Sequence, residues 1–318
     1  MRIGVFDTIF GEAPLDEVLD AILALGVDAV ELGAGGYPGR SRVPSGLSES
    51  AAARDRFRAS VADRGVVVSA LSCHGNPLHP DPDRAAADDR IFRETVRLAD
   101  ALDVRRVNLF SGCPGDGRGA AAPNWVTCTW PPDFAEVLAW QWSESAVPYW
   151  RTAAAFARDH GVRLGIEMHP GNLVYHPPSL LRLQAETDAA DVLGANLDPS
   201  HLFWQGIDPL STVRTLAGSI VHVHAKDTSI DPVNLAAKGV LDLTDRSDTP
   251  ARSWTFRSVG DGHDVGWWAA FVGELASVGY DHVLSIEHED RTRSRDDGLR
   301  RAVGTLQAAI RDAGVPVA

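Results

Sequence analysis

Four short apolar segments in the second half of the chain each end in a side chain that could bind a metal. They read VRLGIEMH, VLGANLD, SIVHVHAKD and HVLSIEH, and the polar residues at their ends are Glu167, Asp198, His224 and Glu287. A buried carboxylate is costly unless it is paired or bound to a cation, and three together repel strongly without one. One imidazole and three carboxylates suit one divalent ion, Mn²⁺ before Mg²⁺ or Co²⁺, and Zn²⁺ is compatible with the same donors.

Two further histidines share faces with these candidate ligands. His169 lies two residues after Glu167, and alternate residues of a strand point to the same side. An imidazole beside a bound metal titrates near neutral pH, so His169 is expected to act as an additional acid or base. His222 precedes His224 by two residues and is expected one layer deeper, as a supporting residue.

The elements that must position these residues alternate regularly along the chain. Apolar strand patterns occupy residues 2–7, 27–33, 66–74, 104–112, 162–169, 192–198, 219–227 and 282–288, and amphipathic helical patterns separate them. Eight strand–helix units predict one (β/α)₈ TIM barrel over residues 1–318, with its chemistry at the carboxyl ends of the strands. Long loops after strands four and seven, at 112–141 and 228–265, are predicted to be lids. The glycine-rich stretch at 33–39 is predicted to be a simple loop.

The composition narrows the class of protein. The net charge of −13 argues against a nucleic-acid or membrane surface. No apolar run approaches the ~20 residues that span a bilayer. The three cysteines form no CxxC pair, so no disulfide framework is expected. A cytoplasmic protein is predicted.

The four motifs GIEMHP, NLDPSH, VHVHAKD and LSIEHED, in this order on strands five to eight, resemble the sugar isomerase/epimerase superfamily of xylose isomerase-like barrels. The resemblance covers essentially the whole chain. It implies that Glu167, Asp198, His224 and Glu287 are the metal ligands, and that Glu167 and Glu287 also move protons beside a substrate carbonyl. It implies that His201, three residues after the metal-binding Asp198, contacts the substrate.

Further substrate contacts are expected around the same barrel mouth. His74 would meet a sugar hydroxyl, Lys226 a substrate oxygen, and Arg257 an anionic group if the substrate carries one. Asn108 and His263 are the remaining candidates. Asp227 is expected to orient a ligand, and an exposed ion pair of Lys226 and Asp227 is the alternative.

A metal-dependent sugar isomerase or epimerase acting on the carbon next to a carbonyl is the first functional hypothesis. The second is a lyase that performs β-elimination on a 3-keto-glycoside, as in the catalytic subunits of C-glycoside-cleaving enzymes. An endonuclease IV-like phosphodiesterase is disfavoured, because Asn108 stands where that family needs a histidine. A non-catalytic barrel is the last alternative. The expected partner is a small sugar or keto-glycoside, and a homo-oligomer, with or without a second kind of subunit, is expected.

Overall fold

Eight strands form a closed barrel in the computed structural model, which describes residues 1–36, 41, 43, 47 and 49–316. The order around the barrel is β1-β10-β7-β6-β5-β4-β3-β2, so the predicted (β/α)₈ barrel is confirmed. The barrel strands are β1 (Arg2–Phe6), β2 (Ala29–Gly33), β3 (Val67–Ser72), β4 (Arg106–Phe110), β5 (Arg163–Glu167), β6 (Leu193–Leu197), β7 (Ile220–Ala225) and β10 (Val283–Ile286). Part of the loop predicted at 33–39, residues 37–39, lies outside the described residues.

Helices alternate with the strands, and several begin at an aspartate followed by proline. Asp81, for example, accepts hydrogen bonds from the backbone N–H groups of Asp83 and Arg84, and Pro82 is the first helical residue. The α-helices are α1 (Leu15–Ala24), α2 (Ala51–Ala62), α3 (Pro82–Leu102), α4 (Pro132–Trp140), α5 (Val147–Asp159), α6 (Pro177–Thr187), α7 (Pro199–Phe203), α8 (Pro209–Thr215), α9 (Pro232–Lys238), α10 (Val265–Ser277) and α11 (Arg295–Asp312). A π-helical segment, Gln141–Ala146, joins α4 to α5. Among the described residues, no helix has both the length and the apolarity to cross a bilayer.

The chain's contacts divide it into two compact units. The first comprises residues 1–31, 63–69 and 198–318, and the second comprises residues 32–62 and 70–197. In the first unit, β10 pairs with β1 and with β7, and β1 also pairs with the start of β2. In the second unit, β4 lies between β3 and β5, and β5 pairs with β6. The prediction of a single domain over 1–318 stays a prediction.

The long connection after β7 contains more regular structure than the sequence predicts. Within it, β8 (Asp227–Ile230) and β9 (Trp254–Arg257) form a two-stranded antiparallel sheet. The segment WTFR carries aromatic and β-branched residues that favour a strand. The loop predicted at 228–265 therefore contains a strand pair that the sequence analysis does not predict.

The long connection after β4 is held at its start by two side-chain amides, a half-buried Asn76 and a buried Gln141. The Asn76 side chain donates to Cys113 O and accepts from Cys113 N. Gln141 Nε2 donates to the backbone oxygens of Gly115 and Asn124. The far part is open, and Trp130 is 74% exposed.

A glycine leaves room for a polar side chain inside the second unit. Gly165 is the third residue of β5 and stands in register with Asn108 of β4. A methyl group on Gly165 would lie 2.5 Å from Asn108 Oδ1 and 3.3 Å from Asn196 Cβ. Asparagine side chains therefore fill the space beside Gly165, where β5 has no side chain.

We expect Gly165→Ala to lower the free energy of unfolding by about 1–3 kcal/mol, because overpacking displaces Asn108. Urea denaturation measures the change. The matched control is Gly304→Ala in the exposed interior of α11, where an added methyl group meets no heavy atom within 4 Å. That control should gain up to about 1 kcal/mol from helix propensity. Equal stabilities of Gly165→Ala and wild type would contradict the packing argument.

Candidate metal centre and active site

Three of the four expected metal ligands meet within the first unit. Asp198, His224 and Glu287 each offer a ligand atom, and these atoms lie within 4.8 Å of one another. His224 is the fifth residue of β7, whereas Asp198 and Glu287 directly follow the last residues of β6 and β10. Both Asp198 and His224 are buried, and Glu287 is half-buried. The expectation that polar residues close these strands holds to within one residue.

Asp198 ends β6 because its carboxylate serves as a helix cap. Asp198 Oδ1 accepts a hydrogen bond from Ser200 N, 2.8 Å away, at the start of α7. Its other oxygen, Oδ2, lies 3.3 Å from His201 Nε2. The cap fixes one oxygen and leaves the other facing the cluster, and the same short helix brings His201 to the site.

Lys226 supplies the positive charge of this cluster. Its ammonium lies 2.9 Å from Glu287 Oε2, 3.3 Å from Asp198 Oδ2 and 3.3 Å from Glu289 Oε2. The side chain is 2% exposed and also lies over the Phe256 ring, 4.6 Å from its centroid. The alternative of an exposed pair of Lys226 and Asp227 was therefore wrong, because both are buried.

His224 is held between two carboxylates. Its Nε2 lies 3.0 and 3.1 Å from the two oxygens of Glu31, and its Nδ1 lies 3.1 Å from Glu287 Oε2. Burial alone would lower the pKa of His224, but the charges of Glu31 and Glu287 raise it well above its ordinary value. Burial likewise opposes ionisation of Glu31, yet His224 and His222 hold the pKa of its carboxyl well below the usual range.

Glu167 and His169 belong to a cluster in the second unit. Glu167 is the last residue of β5, and its Oε2 lies 3.1 Å from His74 Nε2. The Phe110 ring lies 4.6 Å from the His74 ring and 4.8 Å from the His169 ring. His169 lies two residues beyond the end of β5, and one of its nitrogens comes within 4.8 Å of a Glu167 oxygen.

The tautomer of His169 is set by the backbone. His169 Nδ1 lies 2.6 Å from the carbonyl oxygen of Pro170, so the neutral ring carries its proton on Nδ1 and has its lone pair on Nε2. The His169 ring is half-buried.

The remaining expected substrate contacts lie at different levels. Asn108 is the third residue of β4, which continues to Phe110, so Asn108 does not lie at the end of the strand. By register, Phe110 stands beside Glu167 and Asn108 beside Gly165, one layer deeper. Arg257 ends β9 with its Nε 3.6 Å from Asp290 Oδ2.

His263 and Asp227 together organise the loop before α10. Asp227 Oδ2 accepts hydrogen bonds from the backbone N–H groups of Gly260, Gly262 and His263, and Asp227 Oδ1 lies 2.7 Å from His263 Nδ1. The His263 ring stacks on Phe203 at 3.8 Å. The carboxylate of Asp227 is therefore used for folding this loop, and the expectation that it orients a metal ligand was wrong.

Sequence reasoning assigned no role to three residues that the structure brings to the first unit's cluster. Glu31 pairs with His224, Glu289 pairs with Lys226, and Phe256 packs against both Lys226 and His201. Only Glu31 left a signal, since it is an acidic residue in the otherwise apolar strand AVELG.

The residues present fit a divalent cation. Three carboxylates, those of Asp198, Glu287 and Glu289, surround one ammonium that contacts all of them. These carboxylates therefore attract a cation, and the Lys226 ammonium neutralises part of their negative charge. Carboxylate oxygens with one imidazole are ligands that Mn²⁺, Mg²⁺, Co²⁺ and Zn²⁺ all accept.

Comparison with known proteins agrees with the fold and the motifs. The sequence model of the family described as xylose isomerase-like TIM barrel matches residues 19–309. The chain belongs to this family, and the resemblance inferred from the four motifs is confirmed.

Individual relatives match over almost their whole lengths. The uncharacterized protein YfiH of Bacillus subtilis (strain 168) is 35% identical over 315 residues, 98% of this chain and 99% of that protein. A D-psicose 3-epimerase from Clostridium cellulolyticum H10, solved with D-tagatose, has a TM-score of 0.65 and 15% identity, covering 98% of this chain and 99% of its own. The IolI protein, solved with a zinc atom, has a TM-score of 0.67 and 16% identity, covering 98% and 99%. At these identities the two structures share the fold.

We expect Lys226→Met to tighten Mn²⁺ binding by roughly tenfold, because the substitution removes a positive charge that competes for the same carboxylates. Isothermal titration calorimetry measures the affinity. Lys238→Met on α9 is the matched control, since Lys238 contacts Thr244 and Ala251 instead. Weaker binding by Lys226→Met would mean that Lys226 arranges the carboxylates for the ion, contrary to this interpretation.

Proposed function

We propose that the protein is a divalent-metal-dependent isomerase or epimerase that removes a proton from the carbon next to the carbonyl of a sugar or keto-sugar. The observation that carries the proposal is the convergence of three strand-end donors in the first unit. Asp198, His224 and Glu287 each offer one ligand atom, and these atoms lie within 4.8 Å of one another. We propose Glu167, the last residue of β5, as the fourth ligand from the resemblance of its motif GIEMHP. The epimerase neighbour solved with D-tagatose supports a ketose as substrate.

A divalent ion bound by these residues would supply Lewis acidity that polarises the substrate carbonyl. Mn²⁺ is the ion we propose first, because the set is rich in carboxylates. The zinc atom of the IolI structure supports testing Zn²⁺ beside it. The protein's own contribution is the arrangement of bases and hydrogen-bond donors around the substrate.

We propose that three side chains move protons. Glu167 lies beside His74, which can donate a hydrogen bond to it, and Glu287 lies beside the Lys226 ammonium. His169 presents the lone pair of Nε2, because Nδ1 donates to Pro170 O. We assign the proton transfers at carbon to the two glutamates, and to His169 the role of an additional acid or base at a less acidic position.

The expected substrate contacts follow from the same geometry. His201 and Lys226 both lie 3.3 Å from Asp198 Oδ2 and would donate to substrate oxygens near the ligands. His74 would do so from beside Glu167. Their donors suit hydroxyl and carbonyl oxygens, which supports a small carbohydrate as the partner molecule.

We expect Asp198→Asn to lower metal occupancy and activity together, because the amide removes a ligand charge while Asn still caps α7. Metal content by mass spectrometry after dialysis, and turnover on the same samples, are the two measurements. Full metal content in Asp198→Asn would contradict the assignment of Asp198 as a ligand. Full metal content in the double variant Glu167→Gln, Glu287→Gln would contradict the assignment of the two glutamates.

We expect His169→Asn to keep the metal and to lose activity by about two to four orders of magnitude, as general acid–base catalysis predicts. The assay incubates metal-loaded protein with free ketoses and 3-keto-glycosides in deuterated water and follows incorporation of one deuteron by mass. Loss of the aglycone would identify elimination instead of isomerisation.

His160→Asn is the control for this substitution, since His160 lies at the end of α5 and pairs with Asp100. It should exchange deuterium like wild type. If His169→Asn also does so, the glutamates perform the proton transfers alone.

A further inference from the structure

Glu31 is a fully buried carboxylate whose main partner is an expected metal ligand. It is the third residue of β2, and both of its oxygens face Nε2 of His224 at 3.0 and 3.1 Å. We propose that Glu31 is a positioning residue, which holds the proton of His224 on Nε2 and thereby presents Nδ1 as the metal-binding atom. The inference rests on the proposed metal site and deepens it.

Glu31 is itself fixed by its surroundings. Ser285 Oγ donates a hydrogen bond of 2.6 Å to Glu31 Oε2, and Ser285 stands in register with His224 across the β7–β10 pair. The register of β1 and β2 places Phe6 beside Glu31, and the Phe6 ring stacks on His224 with centroids 5.5 Å apart and planes at 24°. The imidazole is therefore constrained at its edge by Glu31 and on a face by Phe6.

The direction of the ring decides which nitrogen can bind an ion. Glu31 accepts a hydrogen bond from Ser285 Oγ, and both of its oxygens lie within hydrogen-bond distance of His224 Nε2, so we infer that Nε2 carries the proton that is donated to Glu31. The other nitrogen, Nδ1, lies 3.1 Å from Glu287 Oε2, among the expected ligands. A carboxylate that accepts the second N–H of a metal-binding histidine typically contributes ten- to hundredfold in metal affinity.

His222 is a second titratable side chain that faces Glu31. Its Nδ1 lies 3.8 Å from Glu31 Oε2, and its Nε2 lies 3.4 Å from Ser69 Oγ. Glu31, His222 and His224 also bring ligand atoms within 4.8 Å of one another, which could describe a second ion site. The short hydrogen bonds of Glu31 to Ser285 and His224 favour the positioning role, and so we expect one ion per chain.

The first test compares Glu31→Gln and Glu31→Ala with wild type by calorimetric titration of Mn²⁺ and Zn²⁺. The amide oxygen of Gln can still accept the Nε2–H bond but carries no charge, so we expect roughly tenfold weaker binding, and roughly a hundredfold for Ala. Glu274→Gln is the matched control, because it removes a carboxylate on α10 that pairs with Arg214 of α8, and it should leave the affinity unchanged. Affinities of both Glu31 variants equal to wild type would overturn the inference.

The second test needs no substitution of Glu31 and therefore stands even if the Ala variant does not fold. Nitrogen-15 NMR of histidine side chains in the Zn²⁺-loaded protein, with His224→Asn for assignment, reports which ring nitrogen carries the proton. We expect a protonated Nε2 and a zinc-bound Nδ1. A zinc-bound Nε2, or a second ion per chain, would overturn the positioning role.

The two tests separate this inference from the proposed function. If the wild-type protein binds neither Mn²⁺ nor Zn²⁺, the proposed metal site fails and the positioning role fails with it. If the ion binds through Nε2 while activity depends on the metal, only the role of Glu31 is refuted.

Discussion

The compensation of buried negative charge is the constraint on which the site depends. Within one unit, Asp198, Glu287 and Glu289 surround Lys226, and Glu31 with Glu287 flanks His224. At an effective dielectric constant near 20, two opposite unit charges about 3 Å apart attract each other by about 5 kcal/mol. Each of these carboxylates is therefore stable in the site only when a cationic side chain lies beside it. Acidic residues can end these strands only because the neighbouring strands place cationic side chains beside them.

Much of the fold and part of the site could be predicted from the sequence because they depend on local periodicity. The alternation of strands and helices is a short-range property, and Glu167 and His224 could be identified as strand-end residues from the segments that contain them. The role of Glu31 could not, because nothing within AVELG indicates that its partner lies 193 residues away. Asn108 was misplaced for a similar reason, since the depth of a residue in a barrel depends on the register with β5, which places Phe110 and not Asn108 beside Glu167.

The connection after β7 shows how a folding role can resemble a functional one in sequence. Asp227 follows the motif of the expected ligand His224 and reads as part of it, yet three backbone N–H groups and His263 take up its carboxylate. A carboxylate that accepts this many hydrogen bonds is held in place by the loop and cannot also approach an ion. Lys226, one residue earlier, points to the carboxylates of the candidate metal-binding cluster instead. Neighbouring residues of one motif therefore have different roles, Asp227 in folding the loop and Lys226 in the cluster.

The pair of inward histidines on β7 is explained by the layer of polar residues beneath the site. His224 faces the ligands, while His222 faces Ser69 and stands 3.8 Å from Glu31, so the carboxylate of Glu31 lies against both rings. An apolar layer of equal volume would often be as stable or more stable, because the free energy lost by removing charged groups from water largely offsets the attraction between them. Stability alone therefore gives little reason to keep Glu31, Ser285 and His222 in a barrel interior. Orientation gives a stronger one, since an imidazole fixed at its edge by a carboxylate and on a face by Phe6 has little freedom to turn its second nitrogen away from the site.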